Sequence, residues 1–346
     1  VHLNMLAEAS LEFTAVAASP ASLPALVSLY TGLYPRQHGV LDSGPPPPLH
    51  GGWLTRLRER GYHTAGVGRV MSVLGQLDEA ACVAEVGELA CPDCEYLTYA
   101  RKRGVSGIVR LHRERRLRSG PLEPVDDGLS HPELDVDGFI ARRAMEMIER
   151  MPADRPWVLV AAFTGPGNDL PVPKLYEDVA DEGELQDGFV PPDFTEIDTY
   201  ADLPWSRSLL QGLTPKRLAA IRRHYLGRVG LLDHHVAVLR EAVDRHGHAR
   251  KTWIAFAADH GKLLGEGGII GERSFLNGAT QTPLWIMPPG GAGPIERDEQ
   301  TALTDGLVST IDLARTLCAI ATADEPPGCL GRSVLPAVKG HEVGGD

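Results

Sequence analysis

The sequence predicts an α/β fold, a doubly wound and mostly parallel sheet flanked by helices. Short apolar runs bounded by turn residues recur along the chain. They are too short for helices and apolar enough to be strands buried between two layers. Between them lie longer stretches with amphipathic, helical spacing, and strand–helix alternation of this kind builds parallel sheets. The chain has 346 residues, 43% hydrophobic and 23% charged, which is ordinary globular composition with enough length for one large core. Residues 1–340 are assigned to a single domain.

The elements follow in chain order. "VHLNMLAEASLEFTAVA" opens on a helical pattern and runs straight into a first strand, "LEFTAVAA" (11–18). An α/β fold ordinarily leads with a buried strand, so a strand ahead of Val1 is expected. "SLPALVSLYTG" (22–32) reads as a helix stopped at Gly32. "LHGGWLTRLRERG" (49–61) puts Trp53, Leu54 and Leu57 on one face and ends at Gly61, a helix stop. "HTAGVG" (63–68) and "WVLVAAFTG" (157–165) are strands, and "DGFIARRAMEMIERM" (137–151) between them is an amphipathic helix started by an Asp cap. Residues 214–247 form a long helical pattern with a break expected near Gly230. "WIAFAA" (253–258) and "PLWIMPPG" (283–290) are further strands, and "VSTIDLARTLCAIA" (308–321) is a last helix. Residues 72–136 and 166–213 are long and irregular, and loops of that length build sites or partner surfaces.

Charge and cysteine usage narrow the function classes. A net charge of −12 speaks against nucleic acid as a partner, because phosphate neutralisation needs clustered Lys and Arg. The one basic run, residues 101–118, reads as a solvated surface insert or as a patch recruiting an anion. No apolar run reaches the ~18 residues that a bilayer span requires, so no transmembrane segment is expected. Five cysteines are too few for a disulfide scaffold. "CPDC" (91–94) reads as a local disulfide or two thiols ahead of a zinc site.

In open α/β sheets ligands sit beyond the carboxyl ends of the strands, and two such stretches carry chemistry. "WIAFAADHG" delivers Asp259 and His260 to a strand end. A carboxylate and an imidazole there suit a divalent metal, and an Asp capping the next turn beside a surface His is the plainer alternative. Ser22 follows the first strand and opens a helix, where backbone N–H groups and the helix dipole stabilise negative charge. It reads either as a nucleophile or as an ordinary N-cap.

Taken together, these stretches resemble the sulfatases of the alkaline phosphatase superfamily. The signature stands as Ser22-Leu23-Pro24-Ala25-Leu26, then Thr31-Gly32, then "LYPRQHGV". "LRERGYHTAGVGR" (57–69), "GPGNDLPVPKLY" (165–176), "ADHG" and "GCLGRSVLP" resemble later segments of that family in the same order. The resemblance implies a metal-dependent sulfuric ester hydrolase acting on a sulfated small molecule or glycan, and export from the cytoplasm is common among members. It implies Ser22 as precursor of formylglycine or as direct nucleophile, Arg69 and Arg273 as charge-neutralising residues, and Asp259 and His260 as ligands of a divalent metal, calcium by preference. It also implies that two further carboxylate ligands lie on a strand ahead of Val1, and that a small C-terminal sheet subdomain follows.

Several positions depart from the family pattern. Ala25 and Leu26 stand where the signature has Ser and Arg, Met71 and Gly167 stand where it has histidines, and Glu272 stands where it has Lys, with Arg273 beside it. The alternative function is therefore a sulfatase-like protein without turnover that binds a sulfated ligand or a protein partner. A phosphate or phosphonate ester hydrolase using Ser22 directly is a third reading.

Overall fold

A computed structural model describes residues 1–42, 51–68, 77–82, 95–104, 132–167, 172–176, 185, 214–266, 269–291 and 306–338. Arg69, Met71, the "CPDC" pair and most of the basic run lie outside them. The elements are α1 (His2–Glu8), β1 (Leu11–Val16), α2 (Ser22–Thr31), α3 (Pro35–His38), α4 (Trp53–Glu59), β2 (His63–Gly68), β3 (Glu79–Cys82), α5 (Glu95–Lys102), α6 (Val136–Ile148) and β4 (Trp157–Ala162). There follow α7 (Pro215–Arg245), β5 (Ile254–Ala257), β6 (Leu263–Leu264), β7 (Ile270–Gly271), α8 (Asn277–Thr280), β8 (Gln281–Met287), β9 (Val308–Ser309), α9 (Asp312–Ile320) and α10 (Leu335–Val338).

The class is α/β, with sheets flanked by helices as the strand–helix alternation predicts. The strands run in the order β5-β8-β1-β9 and β3-β2-β4, with a separate β6–β7 ribbon. β2 pairs in parallel with both β3 and β4, and β1 with β9. β8 runs antiparallel to β1 and β5, pairing Leu11 with Ile286 and Ile254 with Met287. The sequence of β1 already carries the reason. Leu11, Phe13 and Ala15 face the core while Glu12, Thr14 and Val16 face outward, the alternation of a strand with one buried face and an antiparallel neighbour. β4 and β5 are apolar throughout and yet only half-buried, and among the described residues β4 pairs with β2 alone and β5 with β8 alone.

The main core lies between the β1–β8 sheet and α2, α4 and α9. Phe13, Leu26, Tyr30, Trp53, Leu284 and Leu313 belong to it, and Val158 and Val160 of β4 pack against it. The Tyr30 and Trp53 rings stack with centroids 6.1 Å apart, holding α2 to α4. α2 is buried from Leu23 to Thr31 and ends on Gly32, in the left-handed conformation (φ 71°) with its N–H bonded to the Ser28 carbonyl. A Cβ at Gly32 would lie 2.4 Å from Cys329 Sγ, so sterics as well as backbone conformation require glycine there.

Two helical expectations change. α7 is continuous from Pro215 to Arg245, without a break at Gly230. α6 is capped by Asp135 rather than Asp137: the Asp135 carboxylate accepts from the Asp137 N–H at 2.9 Å. Asp137 is turned instead toward the segment after β4.

Candidate active site

Ser22 is not an N-cap. That position belongs to Ala21, in extended conformation, and Ser22 is the first helical residue of α2. Its side chain caps nothing and crosses to the segment after β5. Ser22 Oγ lies 2.9 Å from His260 Nε2 and 3.2 Å from Glu272 Oε1. The fold thus brings together a helix start, a strand end and the turn after β7.

The His260 ring has a defined tautomer. Its Nδ1 lies 2.7 Å from the Gly261 carbonyl, which can only accept, so Nδ1 carries the hydrogen. In the neutral ring Nε2 is then an acceptor, so the single Ser22 hydroxyl proton faces two acceptors, Nε2 at 2.9 Å and Glu272 Oε1 at 3.2 Å. The imidazole side chain is 11% exposed. Asp259 Oδ1 accepts from the His260 N–H at 2.9 Å, and its Oδ2 lies 4.0 Å from Nε2. Burial first, and the Asp259 charge second, push the Tyr30 phenol well above its ordinary range. Tyr30 is therefore a neutral, buried hydroxyl.

Gly261 makes this turn possible. A Cβ there would lie 2.2 Å from the Gly278 carbonyl oxygen, and the Gly261 N–H donates to the Ala279 carbonyl at 2.9 Å. Only glycine lets the two backbones approach so closely.

Glu272 and Arg273 go to different places. Arg273 adopts a left-handed backbone (φ 68°), and its N–H donates to the Pro20 carbonyl at 2.9 Å, which ties the turn after β7 to the lead-in of α2. Its guanidinium donates to Asp42 Oδ1 at 2.7 Å, an exposed pair. The group that reaches the Ser22 hydroxyl is the Glu272 carboxylate, whose Oε2 is also 3.6 Å from His260 Nε2. Arg69 lies outside the described residues.

Lys262 is the residue that sequence reasoning missed. Its Nζ donates to the Gly167 carbonyl, and a side chain at 167 would meet Lys262 Cδ at 3.8 Å. A cation therefore stands beside position 167, where the family pattern has a histidine. The available signal was a Lys two residues beyond a strand-end His.

The turn carrying Gly167 is held from below. Asp137 accepts from the Thr164 N–H at 2.6 Å, the Thr164 hydroxyl at 2.9 Å and the Gly165 N–H at 2.9 Å. Arg228, fully buried on α7, donates to Asp137 Oδ2 at 2.5 Å and bridges Asp135 at 2.8 and 3.2 Å. Two carboxylates share this one guanidinium; burial outweighs the pull of Arg228 and raises the Asp137 pKa, and hydrogen bonds satisfy both groups.

A comparison with protein families decides the membership: the sulfatase family matches residues 2–323. The chain belongs to the sulfatase family. Among curated sulfatases, the choline-sulfatase of Rhizobium meliloti (strain 1021) is 25% identical over 362 residues, covering 99% of this chain and 67% of its own. Human iduronate 2-sulfatase is 26% identical, covering 95% of this chain and 66% of its own. The chain thus spans about two thirds of the length of these sulfatases. Among solved structures, a phosphonate monoester hydrolase of Agrobacterium radiobacter superposes with a TM-score of 0.74 at 21% identity, over 99% of this chain and 73% of that one. Another protein, solved in complex with its substrate D-glucosamine-2-N,6-O-disulfate, has a TM-score of 0.65 at 16% identity, over 100% of this chain and 76% of that one. At these identities the structural likeness establishes the fold.

Proposed function

We propose that this sulfatase-family chain is a sulfuric ester hydrolase whose substrate is a sulfated small molecule or glycan. The carrying observation is the 2.9 Å contact between Ser22 Oγ, at the start of α2, and His260 Nε2. In this reading the Ser22 hydroxyl attacks sulfur, the bond from sulfur to the alcohol oxygen breaks, and water then hydrolyses the sulfated serine; where a separate enzyme with an external two-electron oxidant has first converted Ser22 to an aldehyde, an oxygen of its hydrate attacks instead. His260 takes the proton at Nε2, because the Gly261 carbonyl holds the other nitrogen protonated, and returns it to the leaving alcohol. Lys262 supplies positive charge at the Gly167 turn, and the start of α2 faces the developing anion.

The family chemistry uses a divalent cation, with Asp259 and His260 as the ligands proposed from this chain. Asp259 offers the hard oxygen that calcium prefers, whereas His260 offers a nitrogen already engaged with Ser22. Among the described residues no group of three or more His, Cys, Asp or Glu side chains could hold a metal ion. The described donors thus do not build a cation site by themselves, and no step above passes through one.

A second reading, a sulfatase-like binding protein without turnover, is favoured by three positions. Leu26 is buried in the core where the signature has Arg, Gly167 brings no imidazole, and Glu272 places a carboxylate beside Ser22. Steady-state hydrolysis of 4-nitrophenyl sulfate by full-length protein, with calcium and with a chelator, separates the two. The hydrolase reading expects turnover above background. Its absence on aryl and sugar sulfates alike, with the esters still bound, selects the second.

A further inference from the structure

We infer that Glu272 sets the charge of the ester this site accepts, favouring substrates whose transferable group carries one negative charge over those carrying two. The inference rests on the proposed placement of the ester group at Ser22.

Glu272 Oε1 is 3.2 Å from Ser22 Oγ, and its Oε2 is 3.6 Å from His260 Nε2. Any sulfur or phosphorus atom within reach of that hydroxyl therefore sits a few ångströms from a carboxylate. Asp259 adds a second negative group, 4.0 Å from the same imidazole nitrogen. Among the described residues no Lys or Arg pairs with Glu272: the Arg273 guanidinium donates to Asp42, and the Lys262 charge stands at the Gly167 turn, its Nζ donating to the Gly167 carbonyl. Each negative charge on an incoming ester meets the Glu272 field, and a dianion meets it twice. A sulfate monoester carries one charge at all ordinary pH. A phosphate monoester carries one below its second ionisation, near pH 6, and two above it.

The test compares phenyl sulfate with phenyl phosphate by titration calorimetry on full-length Ser22→Ala protein, so that nothing is turned over. At pH 8 phenyl sulfate is expected to bind about tenfold or more tightly than phenyl phosphate. At pH 5, where both esters are monoanions, that preference should largely close. Phenyl sulfate also serves as the control for His260, Asp259 and Glu272, which face the site at both pH values. Adding Glu272→Gln should narrow the pH 8 preference about tenfold, and Glu272→Asp should retain it. The inference is overturned if phenyl phosphate binds at pH 8 as tightly as phenyl sulfate, if neither ester binds, or if Glu272→Gln leaves the preference unchanged. Should that variant not fold, the comparison of pH 5 with pH 8 at the unaltered Glu272 decides. Selective binding without turnover by the Ser22 protein would remove the hydrolase reading and leave the role of Glu272 standing.

Discussion

Ser22 and His260 are separated by 238 positions in the chain, and their side chains meet at 2.9 Å. The contact exists because β1 and β5 flank β8 in one sheet, so the segments that follow them emerge side by side. His260 cannot rotate freely in that position, because its Nδ1 is bonded to the next residue's carbonyl. If the imidazole is the proton acceptor, His260→Gln should keep the fold and lower turnover by about 10²–10⁴-fold. Steady-state rates beside thermal unfolding of the same protein check this, with kcat expected to fall more than KM rises.

The turn that places His260 should be intolerant of any side chain. A Cβ at Gly261 would lie 2.2 Å from a backbone oxygen of Gly278, which no side-chain rotation relieves. Gly261→Ala should cost about 2 kcal/mol or more, read as a lower urea midpoint, together with loss of activity.

Buried charge makes a second stability prediction. Arg228 is the one cation shared by Asp135 and Asp137, with no exposure of its own side chain. Arg228→Met would leave two carboxylates buried without a cation, and breaking such a pair costs about 3–5 kcal/mol. Chemical denaturation should show that loss, and the added variant pair Asp135→Asn and Asp137→Asn should recover part of it.

His235 gives the fold an acid limit. It is buried on α7, stacked on Phe163 at 6.1 Å, and its Nε2 has no hydrogen-bond partner among the described residues. Burial, and then the nearby His234 and Arg228, overcome the opposing pull of Asp135 and lower its pKa to about 4. The unfolded chain binds this proton from about pH 6.5 downward, while the folded chain does not until about pH 4. Stability is therefore full above pH 6.5 and falls as pH drops through the window from 6.5 to 4, by up to about 3 kcal/mol. Urea midpoints measured across that range should show the decline, and His235→Phe should flatten it.

Much of the site was legible in sequence because strand ends announce themselves. Asp259 and His260 follow an apolar run, and Ser22 opens a helix after another. The roles of the groups around them were harder to read. Whether Glu272 or Arg273 faces Ser22 depends on one left-handed residue, and a positive φ at Arg273 leaves no mark in composition or spacing. Lys262 looks like any surface lysine until the Gly167 turn is brought beside it. Arg228 lies more than 90 positions from its partners, and a lone Arg in a polar helical stretch reads as solvated. The α/β class followed from alternation of elements, and the antiparallel course of β8 did not, since apolar runs specify burial better than direction.

The central claim is that Ser22 is the reacting group of an ester hydrolase. It is tested most directly by sulfate release from an aryl sulfate, measured for the full-length protein beside its Ser22→Ala variant. The account predicts release by the first and a drop of at least about 10³-fold in the second, with binding of the ester retained. Equal release by both proteins would contradict it.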